Sequence, residues 1–141
     1  MGLAMPCYRV NSPVGVIADT HGLLRDEALY LLDGCELILH LGDVGSKEAD
    51  KTILQSLPVH QDILVNEKHL HLVHRLEDFD PKTPCAAVLH GHSHKPRNEH
   101  LEGKLLFNPG AAGKRRFNLP ITLGKLWIDH HGLRGAIIHL L

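Results

Sequence analysis

The sequence predicts an α/β fold built on a mostly parallel β-sheet with covered faces. Two observations lead there. Short, uninterrupted apolar runs recur at 14–18, 37–40 and 86–89, the pattern of strands buried on both faces. Helical segments follow the first two runs, giving strand, helix, strand, helix.

The elements follow in order. Val-Gly-Val-Ile-Ala at 14–18 is the first buried strand, and Asp19-Thr20-His21-Gly22 follows its end. A helix is predicted over 25–32, closed by Asp33-Gly34 with Gly34 at the position after the cap. Residues 37–40 form the second buried strand, with Gly42-Asp43 just beyond it. A second helix is predicted over 47–57, capped by Ser46, carrying Glu48 and Asp50 in its first turns and closed by Pro58. Residues 63–65 and 70–73, joined through Asn66-Glu67-Lys68, read as a hairpin, and 77–84 as an acidic loop or short helical piece. Another strand over 86–89 ends in His90-Gly91-His92-Ser93-His94. A strand at 105–107 runs into Asn108-Pro109-Gly110, and two antiparallel strands over 121–128 and 136–140 close the chain across a turn at Gly132. No linker, repeat or low-complexity segment interrupts this pattern, so a single domain over residues 1–141 is expected.

Composition narrows the function classes. Lys plus Arg number 15 against 16 Asp plus Glu, a net charge of −1, which gives no general attraction to nucleic acid or acidic lipid. Lys114-Arg115-Arg116 is a local basic patch, more simply read as a solvated face. Aromatic residues make up 4% of the chain, too few for a stacking platform. Cys7, Cys35 and Cys85 form no CxxC pair and are expected to be small buried hydrophobes in a reducing compartment. The first six residues lack a basic stretch before a long apolar run, so no signal peptide is expected. No apolar run approaches the ~20 residues needed to span a bilayer. The default expectation is a cytoplasmic protein without membrane contact.

The chain holds 13 histidines, and some of them gather with aspartates at strand ends. Asp19 and His21, Asp43, His74, and His92 with His94 each follow an apolar strand, three of them (His21, Asp43 and His92) beside a glycine. Carboxyl ends of strands are the usual ligand side of α/β sheets. Each motif alone has a bland reading: Asp19 as a helix cap, Gly42-Asp43 as a turn, His74 as a hydrogen-bonded strand histidine. Gly91-His92-Ser93-His94 is the strongest, with two imidazoles two residues apart beside a glycine. Together the six residues would repel or go unpaired unless a dication joined them. Mixed carboxylate and imidazole donors without thiolate suit one or two ions of manganese, zinc, iron, cobalt or nickel better than magnesium. His60, His69, His71, His100, His130, His131 and His139 read as surface or satisfied histidines, while His40 and His90 sit close enough to support ligands.

The ordered set Asp19-Thr20-His21, Gly42-Asp43, His74, Gly91-His92-Ser93-His94 resembles the calcineurin-like metallophosphoesterase family, in particular its small bacterial and archaeal phosphodiesterase branch. Asn108-Pro109-Gly110-Ala111-Ala112-Gly113 and the loop at 74–80 are similar to segments of that branch. The resemblance implies two packed mixed β-sheets flanked by helices. It implies that Asp19, His21 and His94 hold one metal, that His74 and His92 hold the second, and that Asp43 bridges them. Catalysis would then depend on Asp43 and His92. A bridging hydroxide would attack the phosphorus of a small-molecule phosphoester, most simply a phosphodiester. Nucleic acid would enter only as a phosphodiester substrate.

The chain departs from the family at one place. The Gly-Asn-x-Asp motif expected after the third strand is missing, because residues 57–61 pass straight into the predicted hairpin. Asn66 lacks a preceding glycine and suits the hairpin turn, leaving Gln61 or His60 as replacement donors. The loss implies a more open site, weaker substrate positioning and an exposed edge open to a homodimer. It also leaves a second reading: a catalytically degenerate relative used for protein contacts, as in the retromer scaffold subunit of the same fold.

Overall fold

The computed structural model describes residues 5–43, 53–55 and 60–141. Eleven strands are arranged in two sheets among these residues. The first sheet has the order β1 (Cys7–Tyr8), β5 (His60–Val65), β6 (Lys68–Val73), β7 (Ala87–Leu89), β9 (Lys104–Asn108), β8 (Arg97–Leu101). The second has the order β11 (Gly132–His139), β10 (Thr122–Asp129), β2 (Val14–Ile17), β3 (Ile38–His40), β4 (Ile53–Gln55). Both are mixed. β6, β7 and β9 run parallel in the first, β2, β3 and β4 in the second, and hairpins add the antiparallel pairs β5–β6, β8–β9 and β10–β11. The expected two-sheet α/β arrangement is therefore the observed one.

The apolar runs behave as their composition requires. Every residue of β2, β3 and β7 is buried. Val14, Val16 and Leu39 of the second sheet pack against Ile63, Leu70, Leu72, Leu89 and Phe107 of the first. On the far face of the second sheet, Ile17, Ile38 and Leu123 meet Ala28 and Leu32 of helix α1 (Asp26–Leu32). Fully burying each larger aliphatic side chain stabilises by roughly 1.5–3 kcal/mol. Asp26 and Glu27 complement the helix dipole in the first turn. The helix stops at Asp33, after which Gly34 takes φ +87°.

Two expectations need correction, and one strand had none. Ile53–Gln55, assigned by the sequence to a helix over 47–57, is a strand parallel to β3. A three-residue strand is too short to show a periodicity, and the remainder of that segment, with its Ser46 cap, lies outside the described residues. β8 was not anticipated: Arg-Asn-Glu-His-Leu is an exposed edge strand with no apolar face to betray it. Cys7 is exposed and Cys35 and Cys85 are half-buried, so none is a fully buried hydrophobe; all three are free thiols. Among the described residues, no helix is long and apolar enough to cross a membrane.

Candidate metal centre

The loops that follow β2, β3, β6 and β7 meet at one end of the two sheets and are laced together by main-chain hydrogen bonds. Asp19 N–H donates to Gly42 O at 3.0 Å, His21 N–H to Asp43 O at 2.8 Å, and Gly91 N–H to His74 O at 2.9 Å. Two bonds cross between sheets. His74 Nδ1–H donates to Leu41 O at 2.7 Å, and His92 N–H donates to Asp19 Oδ2 at 3.0 Å. Gly42 is required here: it sits at φ +117°, and a Cβ on it would lie 2.5 Å from His74 Nδ1.

All six residues singled out from the sequence come together. They form two sets, Asp19, His21 and His94, and Asp43, His74 and His92; within each set the donor atoms lie within 4.8 Å of one another. The sets adjoin: His21 Nε2 is 3.8 Å from Asp43 Oδ2, and His74 Nε2 is 3.9 Å from Asp19 Oδ1. Five of the six carry positive φ, namely Asp19, His21, Asp43, His92 and His94. The left-handed region costs a non-glycine residue of order 1 kcal/mol or more. Such concentration at one spot marks backbone shaped for side-chain placement and not for stability.

The electrostatics of the donor set fit a cation. Asp19 is fully buried, and its Oδ1 has no hydrogen-bond partner among the described residues. His94 Nε2 stands 3.6 Å from that oxygen and His21 Nε2 4.0 Å, too far for hydrogen bonds. Burial pushes the Asp19 carboxyl up to about 7; the His74 charge and the His92 N–H oppose this, and Asp43 adds to it. Asp43 is raised by burial, but His74, Asp19 and His21 together hold it below its ordinary value. His94 is lowered by burial, then by Arg116 and His21, which favours the neutral imidazole a metal needs. His74 is the most telling. Because Nδ1 gives its proton to a carbonyl, a neutral ring presents a bare lone pair at Nε2, 3.1 Å from Asp43 Oδ2. Two acceptors facing each other require a proton or a metal between them, and a carbonyl-anchored imidazole is a common support for metal ligands. The donor set thus fits divalent cations of the manganese-to-zinc group.

Support comes from residues the sequence marked weakly. His40, buried and pushed down to about 4 by burial, accepts Gly42 N–H at Nδ1 (3.1 Å). Its Nε2 lies 2.9 Å from Thr20 Oγ1. It therefore braces both the Asp19 loop and the Asp43 loop. Asn108, fully buried, donates from Nδ2 to Ser93 Oγ at 3.1 Å and accepts Gly110 N–H at Oδ1 (2.9 Å), tying the end of β9 to the His92–His94 loop. His90 is buried and lowered to about 4 by burial and Arg97. Of the replacement donors, His60 is bonded to His71, and Gln61 has a buried Oε1 without partner among the described residues. Asn66 is committed elsewhere: it turns the β5–β6 hairpin and bonds Val10 and Ile128. A cleft of about 570 Å³ between Arg9, Asn66 and Trp127 lies at the opposite end of the strands from these donors.

Two mixed sheets enclosing a carboxylate–imidazole centre with room for two cations define the class: an α/β protein with a candidate binuclear metal site. Residues 54–130 match the calcineurin-like phosphoesterase superfamily domain, and the chain belongs to that superfamily. No curated protein matches the chain. Solved structures of similar fold include a conserved uncharacterized protein, a predicted phosphoesterase, from Streptococcus pneumoniae (TM-score 0.70, 16% identity, 91% of this chain and 89% of that one). An archaeal phosphodiesterase is also similar (TM-score 0.69, 16% identity, 90% and 100%). So is Vps29 from Entamoeba histolytica complexed with zinc (TM-score 0.62, 15% identity, 92% and 100%). At these identities the likeness is one of fold.

Proposed function

We propose that the protein is a metal-dependent phosphoesterase that hydrolyses phosphodiesters, folded as a single domain over residues 1–141. One observation carries the reading: a buried carboxylate oxygen, Asp19 Oδ1, has no hydrogen-bond partner among the described residues and faces the imidazoles of His21, His74 and His94. Asp19, His21 and His94 would hold one cation and His74 and His92 a second, with Asp43 facing both. Divalent metals bound there would supply Lewis acidity toward phosphoryl oxygens and lower the pKa of a bound water. The chain's own contribution is preorganisation. The Leu41 carbonyl fixes the His74 tautomer, His40 clamps Gly42, and Asn108 holds the His92 loop. Asp43 and His92, exposed at the mouth, are where an arriving phosphoryl group would meet the protein.

We further infer that this chain belongs to the small phosphodiesterase branch and has lost that branch's Gly-Asn-x-Asp motif. No Gly-Asn pair occurs anywhere in the chain, and only residues 56–59 separate β4 from β5. The second cation would then have three protein donors, a number zinc tolerates with water as a fourth. The scaffold reading draws no specific support from the likeness to Vps29, which is one of fold, and all six donors are retained.

The test is hydrolysis of bis-(p-nitrophenyl) phosphate by chelator-treated protein reloaded with manganese or zinc. The expected result is metal-dependent turnover that falls more than about a hundredfold in Asp43→Ala and in His92→Ala. Equal rates in the variants and the parent would remove the reading.

A further inference from the structure

Two adjoining clefts form a groove that leads away from the second set of donors, and apolar and charged side chains line both. The near half is a cleft of about 350 Å³ whose wall includes Glu77, His92, Ser93, Lys95 and Arg97. The far half is a cleft of about 280 Å³ lined by Phe79, Pro81, Leu101 and Leu106 together with the charged Glu102 and Lys104. Leu76 and Arg97 line both, so the clefts share a wall. The first is joined to the candidate metal centre through His92, which belongs to both.

The register accounts for the apolar side chains of the far half. β8 and β9 are antiparallel, with Glu99 opposite Leu106 and Leu101 opposite Lys104. Leu101 and Leu106 are thus diagonal neighbours on one face, while Leu105 and Phe107 alternate to the other face and enter the core between the sheets. The fold has no use for Leu101, which is 53% exposed on an otherwise polar edge strand. At the junction, Arg97 Nε donates to Glu99 Oε1, which holds the guanidinium on β8. A phosphate near His92 would find Lys95 and Arg97 beside it, partly offset by Glu77 and by the Glu99 paired with Arg97, and the apolar side chains of the far half beyond them.

We propose that this groove receives an apolar arm of the substrate, so that the protein acts on phosphoesters carrying an alkyl or aromatic group in place of small polar ones. The proposal rests on the phosphoesterase reading of the metal centre. Apolar surface transferred from water into the far cleft favours a long arm over a short one at constant phosphate chemistry.

Two non-hydrolysable probes separate the arm from the phosphate: methylphosphonate and octylphosphonate, the latter kept below its micelle concentration. Each is titrated into the zinc-loaded full chain while amide shifts are followed by NMR. The expected result is octylphosphonate binding roughly tenfold tighter or more, with shifts at Leu76, Leu101 and Leu106 that methylphosphonate does not produce. Leu101→Ser, at an exposed position and adding no charge, should erase the preference. Equal affinities, no binding of either probe, or a preference that survives both Leu101→Ser and Leu106→Ser would overturn the proposal. The outcomes stand apart from those of the hydrolysis assay. Turnover without chain-length preference removes the groove and keeps the phosphoesterase, whereas chain-length preference without turnover leaves a phosphonate-binding groove and removes both the phosphoesterase reading and the substrate assignment.

Discussion

Asp62 and Asp19 each sit among imidazoles, and the two surroundings are built in opposite ways. Asp62 Oδ1 accepts from His69 Nε2 at 2.7 Å and from His71 Nδ1 at 2.8 Å, and His60 Nδ1 lies 3.1 Å from His71 Nε2. With His71 neutral, every donor in this ladder across β5 and β6 meets an acceptor. Around Asp19 the imidazole nitrogens stand 3.6 to 4.0 Å from Oδ1, which no donor reaches. Among the described residues, the converging donor sets include Asp19 and Asp43 but not Asp62. The same residue types therefore close on one another in one place and stand apart in the other. Only the second arrangement keeps a buried carboxylate oxygen without a hydrogen-bond partner among the described residues, which a bound cation would satisfy.

The difference can be pressed with neutral substitutions at the two carboxylates. Asp19→Asn should show the larger effect in metal-free protein. Asp19 in the fold keeps its proton to about 7, whereas the unfolded chain releases it near 3.8. Raising the pH through that interval therefore favours the unfolded state. Removing the ionisable group should stabilise the metal-free protein by about 2 kcal/mol at pH 8, fading toward pH 4, while an asparagine oxygen can still accept the His92 N–H. Urea titrations at the two pH values measure this, and an Asn variant less stable than the parent at pH 8 would break the contrast.

Asp62→Asn should move the other way and less. The Asp62 carboxyl is raised by burial but lowered further by its bonds to His71 and His69, so it ends below its ordinary value. Its contribution is present above pH 3.8 and is lost as the pH falls through the lowered value. The carboxyl is more than a third exposed, and water screens it. The loss in the variant should thus be under about 1 kcal/mol at neutral pH. A stabilised Asp62→Asn in the same titrations would mean that its ladder, too, is incomplete.

Much of this contrast was legible in the sequence, and the rest was not for identifiable reasons. Val14–Ile17 and Ile38–His40 announce themselves as buried strands because neither has a polar face. Asp19, His21, Asp43, His74, His92 and His94 could be picked out because each follows such a strand. His60, His69 and His71 were read as satisfied, and the ladder shows how. The positive φ values at five donors left no mark in the sequence, since αL aspartate and histidine are spelled like any other. The bracing by His40 and Asn108 depends on hydrogen bonds between separate loops, which one-dimensional spacing does not encode. β4 and β8 escaped because one is three residues long and the other has no buried face.

The central claim is tested most directly by anomalous diffraction at the zinc edge from crystals of chelator-treated protein soaked in zinc. The expected map has strong peaks among Asp19, His21, His94 and among Asp43, His74, His92, and none at Asp62. An empty centre at saturating zinc, or density only on the His60–Asp62–His71 ladder, would contradict the account.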